Sequence, residues 1–376
     1  MASDNPLVRA NQLGQSIWID FIQRSMLESG KLAAMIKEDA ITGLTSNPSI
    51  FEAAIAKTEE YDDSLASFVK DFPEASNIEI FNHLAIADIQ AAADIFADVY
   101  RDSDGEDGMV SLEVAPELAH DAEATIERAL ALNEAVNRPN VMIKVPGTAA
   151  GVKAFEQLTA QGVNVNVTLL FSIQRYLEIA RAYIRALETR LAAGEDISSI
   201  ASVASFFVSR VDTAIDEQIA QLGEADSNED RAALAGCIGI ANAKVAYGHF
   251  ANLFGSEQWQ KLAAAGAKAQ RLLWASTGTK NPDYRDTLYI EELLGPQTVN
   301  TVPPKSLDAF RDHGVAESRL SMNLANAHKQ LSQLAEQGIN LGDVTDKLEK
   351  EGLQAFADAF DRLMASIEEK RKHMAA

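Results

Sequence analysis

The sequence predicts an α/β fold: a single (β/α)8 barrel carrying additional helices. Eight short apolar runs alternate with longer segments whose apolar residues recur at about every 3.6 positions. No G-x-G-x-x-G follows the first run and no G-x-x-x-x-G-K-[ST] occurs anywhere, so the usual reason to prefer an open doubly wound sheet is missing. The 376 residues contain no Pro/Ser-rich linker, internal repeat or low-complexity stretch that would divide them.

The strand candidates, in order, are Ser16–Asp20, Ala40–Leu44, Met109–Val114, Val141–Val145, Val163–Thr168, Ser202–Val208, Leu272–Ser276 and Thr298–Val302. Between the second and third, Asn77 is placed to cap a helix with Phe81, Leu84, Ala85, Ile89, Ala92, Phe96 and Val99 on one face. Asn137-Arg138-Pro139 breaks a helix just before the fourth strand, as an α-to-β loop should. After the fifth strand a helix starts at Ser172, turns Ile173, Tyr176, Leu177, Ala180, Ile184, Leu187 and Leu191 inward, and stops at Gly194. A typical barrel needs roughly 250 residues. The excess is assigned to paired helices at about 48–101, 209–266 and 316–370. The last segment reads as two helices packed on the barrel, so residues 1–376 read as one domain.

The charge, 33 − 55 = −22, repels phosphate backbones and anionic headgroups, so neither nucleic acid nor a membrane surface is an expected partner. Hydrophobic residues at 47% and charged residues at 23% are ordinary for a globular chain. Cys237, the only cysteine, has no intrachain partner and reads as a small buried apolar residue. Met1–Asn11 lacks a basic segment followed by an apolar one, and no run approaches the ~18 apolar residues of a membrane span. The expectation is a cytoplasmic protein, with monomer and homodimer both open.

The chemistry sits where polar residues interrupt or end the apolar strands. Barrel active sites gather at the carboxyl ends of strands, so residues distant in sequence converge there. Lys144 is embedded in VMIKV, and a buried lysine pays heavily to stay charged. Its neutral amine can attack a carbonyl and form a Schiff base. An edge-strand lysine reaching water is the plain alternative for VMIKV alone, and the companions decide against it. Asp20 and Glu113 are carboxylates on apolar strands, as a Schiff-base aldolase requires for its proton transfers; taken singly, each also fits a structural cap or ion pair. Asn47 and Asn166 are suited to substrate hydroxyls and Thr168 to a water, although Thr45–Ser49 alone also reads as a turn into a capped helix. Arg210, Ser276 and Lys280 cluster after the sixth and seventh strands, near where barrels often hold a phosphate. The six histidines are dispersed, with no H-E-x-x-H, and there is no G-x-S-x-G, so neither a metal nor a serine nucleophile is expected.

Over roughly residues 13–310 the chain resembles the transaldolase family. The resemblance is carried by WID around Asp20, TSNPSIF around Asn47, SLEV around Glu113, IKVPGTAAG around Lys144, NVTLLFS around Thr168 and SFFVSRVD around Arg210. WASTGTKNPDY and the carboxyl-terminal helices look most like the longer bacterial form. The resemblance implies a metal-free, cofactor-free transfer of a dihydroxyacetone unit between sugar phosphates of the non-oxidative pentose phosphate pathway. The donor would be sedoheptulose 7-phosphate or fructose 6-phosphate, and the acceptor glyceraldehyde 3-phosphate or erythrose 4-phosphate. It further implies Lys144 as Schiff-base lysine, Asp20 as base on the C4 hydroxyl, and Glu113 as proton carrier through a water on Thr168. Asn47 and Asn166 would bind hydroxyls, Ser205 would lie nearby, Phe207 would line the site, and Arg210 with Ser276 would bind phosphate. Shorter members carry an arginine two residues after the serine matching Ser276, where this chain has Gly278. Lys280 is the candidate replacement for that charge. The competing readings are an aldolase that releases free dihydroxyacetone and a non-catalytic sugar-phosphate-binding barrel.

Overall fold

The computed structural model describes residues 5–223 and 228–375. Eight parallel strands close in sequence order into a barrel: β1 Gln15–Ile19, β2 Ile41–Thr45, β3 Met109–Glu113, β4 Val141–Pro146, β5 Val165–Leu170, β6 Ser202–Phe207, β7 Arg271–Ala275 and β8 Thr298–Val302, which returns to β1. Each expected strand is present, displaced at its ends by two residues at most. The added helices also fall where the length required them. Pro48–Phe51 to Ala97–Asp102 follow β2, Ser209–Gly223 to Glu257–Ala264 follow β6, and Leu324–Glu336 and Leu341–Ala375 end the chain. Among the described residues no helix is long and apolar enough to cross a membrane.

Five local readings need correction. Leu191, expected to face inward on Ile173–Ala192, is exposed. Ser76, not Asn77, caps Asn77–Ile95: its hydroxyl accepts from the Glu79 N–H while the Glu79 carboxylate accepts from the Ser76 N–H at 2.8 Å. The helix Pro6–Gln12 was not expected, because seven residues are too few to display a period. Its signal is local: Asn5 accepts from the Leu7 N–H, and Pro6 occupies the first helical position. β7 is followed by a loop and only the short helix Leu288–Glu292. Cys237 is half-buried at the start of Ile238–Phe254 rather than a core residue.

Strand alternation produces two apolar layers. Ile17, Ile19, Val110, Leu112, Ile143, Val145, Val165, Val167 and Phe206 face outward and pack under the helices. Trp18, Met109, Met142, Val203, Leu273 and Val299 face inward and fill the barrel. The base of the barrel is tied by Asp107, which accepts from Ser16 Oγ at 2.6 Å, Trp18 Nε1 at 3.1 Å and Arg271 Nη2 at 3.0 Å. Gly43, paired with Trp18 in the β1–β2 register, makes room for the indole: a Cβ there would lie 2.5 Å from a ring carbon.

Gly43→Ala is therefore expected to cost about 1–3 kcal/mol of stability through overpacking. The urea midpoint should fall with an unchanged m value. An unchanged midpoint would mean that Trp18 moves aside freely.

Candidate active site

Lys144 shares the parity of Met142 on β4, so it points into the barrel, one layer above the apolar filling. The same parity on β3 turns Glu113 inward, and the β3–β4 register sets it directly beside Lys144. Only 6% of each side chain is exposed, and the Nζ of Lys144 lies 3.2 Å from Glu113 Oε2. Nζ also donates to the Ser46 carbonyl at 2.9 Å. The buried ammonium is thus compensated by oxygen on two sides. Burial pushes the Glu113 carboxyl above its usual pKa; the Lys144 charge opposes this and the nearby Asp20 reinforces it.

Asp20 follows β1, and its Oδ1 accepts from Thr45 Oγ1 at 2.7 Å. Thr45 Oγ1 lies 2.5 Å from Thr301 Oγ1, so three strand ends hold this carboxylate. Burial raises the Asp20 pKa, against the pull of Lys144, the Thr45 hydrogen bond and Arg210. Asn47 caps Pro48–Phe51, its Oδ1 accepting from the Ile50 N–H at 3.0 Å. Structural and site readings of Asn47 are therefore compatible, because the amide nitrogen is not used by the cap.

On β5 and β6, Asn166 Oδ1 accepts from Ser205 Oγ at 2.6 Å and Asn166 Nδ2 donates to Ser111 Oγ at 3.1 Å. Thr168 is 1% exposed, and its hydroxyl has no hydrogen-bond partner among the described residues. Beyond β6, the Arg210 guanidinium sits 5.4 Å from the Phe207 ring centroid and is mostly buried. Burial lowers its pKa, and the Asp20 charge works against that. Ser276, just past β7, has a left-handed φ of 54° and is held by the Ser209 hydroxyl at 2.9 Å. Its neighbour Thr277 donates to Asn300 Oδ1 at 3.0 Å, anchoring the loop to β8.

A cavity of about 190 Å³ joins these groups at the carboxyl ends of the strands. Asp20, Asn47, Lys144, Thr168, Ser205, Phe207, Arg210, Ser276 and Lys280 all line it. Lys280 is exposed at its rim, beside Gly278. Two expected residues do not line it. Asn166 is fully buried and hydrogen-bonded to the cavity residue Ser205. Glu113 stands on the far side of Lys144, walling a small apolar recess with Phe51, Phe81 and Phe360. Sequence reasoning missed Thr301 and Phe356. Thr301 is legible as the inward polar residue at the end of β8. Phe356 comes from the last helix, and nothing in its local pattern distinguishes it from a core phenylalanine. Among the described residues no group of three His, Cys, Asp or Glu side chains is placed to hold a metal ion.

Comparison with known proteins bears on the same residues. The family described as Transaldolase/Fructose-6-phosphate aldolase matches residues 17–367. A protein of Trichodesmium erythraeum named Transaldolase is 44% identical over 376 residues, 98% of each chain. Transaldolase 2 of Nostoc sp. is 46% identical, again over 98% of each. Transaldolase 1 of Streptomyces coelicolor is 44% identical over 97% of this chain and 95% of its own. With the strand-end blocks, the barrel and the match running nearly end to end, the chain belongs to the transaldolase/fructose-6-phosphate aldolase family.

Proposed function

We propose that this enzyme transfers a dihydroxyacetone unit from a ketose phosphate to an aldose phosphate through a Schiff base on Lys144. The observation that carries the reading is a buried amine, 3.2 Å from one carboxylate, facing a cavity that a second carboxylate lines. Lys144 Nζ, once it has given up a proton, attacks the C2 carbonyl of the ketose. The carbinolamine then loses water to leave an iminium. Glu113 is the carboxylate beside that nitrogen, and burial that raises its pKa above the usual carboxylate range makes it a better proton acceptor and carrier than an exposed carboxylate. The unpartnered Thr168 hydroxyl has the hydrogen-bonding capacity to hold a water between the two.

Asp20 takes the C4 hydroxyl proton. The C3–C4 bond breaks, its electron pair flows into the iminium, and the aldose phosphate leaves. The enamine on Lys144 then adds to the aldehyde carbon of the acceptor, and the proton on Asp20 passes to the new alkoxide. Hydrolysis frees the product and restores the amine. Thr45 and Thr301 fix the carboxylate for these steps. Asn47 is suited to bind a hydroxyl of the dihydroxyacetone unit, and Ser205 is a second donor, oriented by Asn166. Arg210, Ser276 and Lys280 form the phosphate end. Among the described residues no carboxylate lies within ion-pair distance of the Arg210 guanidinium, which stacks on Phe207 and suits an anionic ligand. The sugar phosphates are the partners that this reading requires, and cytoplasmic placement follows from the same metabolism.

Lys144→Ala should abolish transfer while the barrel stays folded. Mass spectrometry after borohydride reduction with fructose 6-phosphate should place the wild-type adduct on the Lys144 peptide. Transfer by the variant, or an adduct on another lysine, would sink the mechanism.

Asp20→Asn should form the Schiff base and stall at cleavage, because the amide cannot accept the C4 proton. Rapid quench with borohydride should then trap the whole ketose phosphate. Glu113→Gln should instead trap little adduct of any kind. Normal accumulation of the three-carbon fragment in both variants would refute the assigned roles.

Arg210→Ala should raise KM for fructose 6-phosphate by about ten- to a hundredfold, the worth of a charge-assisted hydrogen bond of about 1.5–3 kcal/mol. Cleavage of unphosphorylated fructose should change far less. Equal losses on both substrates would remove Arg210 from phosphate recognition.

A further inference from the structure

The helix Leu341–Ala375 lies across the carboxyl-terminal mouth of the barrel, touching the segments that follow β2, β3 and β6 as well as β5 itself. It is fastened at its far end. Arg362 donates two hydrogen bonds to the Glu52 carboxylate, each 3.0 Å, Lys370 binds the Thr58 carbonyl at 2.7 Å and Asp62, and Arg371 donates to the Ala75 carbonyl at 2.8 Å. Three residues at a spacing of four, Gly352, Phe356 and Phe360, share one face of this helix. That face looks down on the site. A Cβ at Gly352 would come within 3.0 Å of Leu169 Cδ2 and 3.6 Å of Arg210 Nη1, so the helix approaches closely above the phosphate end. Phe356 is 6% exposed, lines the cavity, and its ring centroid is 6.0 Å from Lys144 Nζ. Phe360 packs edge-on against Phe81 beside Glu113.

We propose that Phe356 is a specificity-determining residue that keeps transfer ahead of release, by covering the enamine on Lys144 against water until an acceptor aldehyde arrives. The inference rests on the Schiff-base reading above. The enamine has two fates. Attack on an aldehyde forms a carbon–carbon bond. Alternatively, its nucleophilic carbon takes a proton from water to give an iminium. Hydroxide from that same water then adds at C2, and the carbon–nitrogen bond breaks with the proton returned to nitrogen. That sequence consumes one water and yields dihydroxyacetone and the free Lys144 amine. A phenyl ring offers neither a proton nor a hydrogen-bond acceptor, so over Lys144 it supplies bulk that excludes water without supplying the proton that release needs. The helix that carries it is tied at Glu52, Asp62 and Ala75, so the ring is held rather than free to swing with a loop.

The test compares Phe356→Ala, Phe356→Val and Phe356→Leu with the full-length wild type. With fructose 6-phosphate as donor, free dihydroxyacetone formation is measured against transfer to glyceraldehyde 3-phosphate. Folding is followed by circular dichroism, and Lys144 adducts by borohydride trapping. Truncation to Ala should raise the ratio of release to transfer on the order of tenfold, with Val intermediate and Leu near wild type. An unchanged ratio in either truncated variant that folds and still traps substrate on Lys144 overturns the proposal. So does an equal rise in Phe356→Leu, which keeps the apolar cover. Failure of the wild type to trap an adduct on Lys144 would instead defeat the Schiff-base reading itself.

Discussion

The structure depends on keeping an amine inside an apolar barrel. Lys144 sits among Val141, Met142, Ile143 and Val145, where an unpaired ammonium would be costly. The barrel meets that demand with Glu113 across the β3–β4 register, the Ser46 carbonyl, and Asp20 close enough for its charge to be felt; the two carboxylates are also those to which the proposed mechanism gives the proton transfers. Removing either carboxylate would change both the electrostatic compensation and the proposed proton traffic. This coupling explains why the site is built from strand ends rather than mobile loops. A relative shift of one residue between β3 and β4 would turn Glu113 to the helix side and leave the amine unpartnered.

Much of this was legible because parity is a property of sequence. Glu113, Lys144, Thr168 and Ser205 each occupy an inward position of a largely apolar strand, Asp20 follows β1 in the same parity, and alternation predicts that they converge. Depth was not legible. Asn166 is as inward as Thr168 but lies one layer lower, so it orients Ser205 without lining the cavity. Glu113 is likewise beside Lys144 but behind it. Phe356 was out of reach for a different reason: it is more than two hundred residues from Lys144 and on a helix, where an inward phenylalanine looks the same over a core as over a substrate. The capping misreading at Asn77 is of a smaller kind, since two adjacent cap-competent residues are separated only by the reciprocal bond that Ser76 makes with Glu79.

The proposed phosphate end would have to draw an anion to a chain with a net charge of −22. Several other buried or half-buried arginines are paired: Arg24 with Asp88, Arg271 with Asp107 and Arg311 with Asp39. Arg210 meets the face of Phe207 and feels the longer-range field of Asp20, with no ion pair among the described residues. An aromatic face steadies a guanidinium without using up its donors. The backbone beside it is held in tension, with Ser276 at φ 54° and Leu169 at φ 61°. Neither residue has glycine's freedom there, and each conformation costs on the order of 1–3 kcal/mol unless its surroundings enforce it. Ser209 and Thr277 supply such enforcement at Ser276, and the close passage of Gly352 over Leu169 is in position to do so there.

That last contact links the two ends of the site. Leu169 directly follows Thr168, in the stretch where the β5–β6 register shifts between Val167 and Leu170. The irregularity lets β5 present Thr168 to the cavity and then turn Leu169 up toward the helix above. Gly352 is the residue that lets the helix come down to meet it. A Cβ there would press on the end of the Leu169 side chain, 3.0 Å away, one turn before Phe356. Leu169, Gly352 and Phe356 thus form one packed line from the strand end to the amine. Barrel and strap are matched in height over the amine, and the chemistry of an enamine makes that height matter.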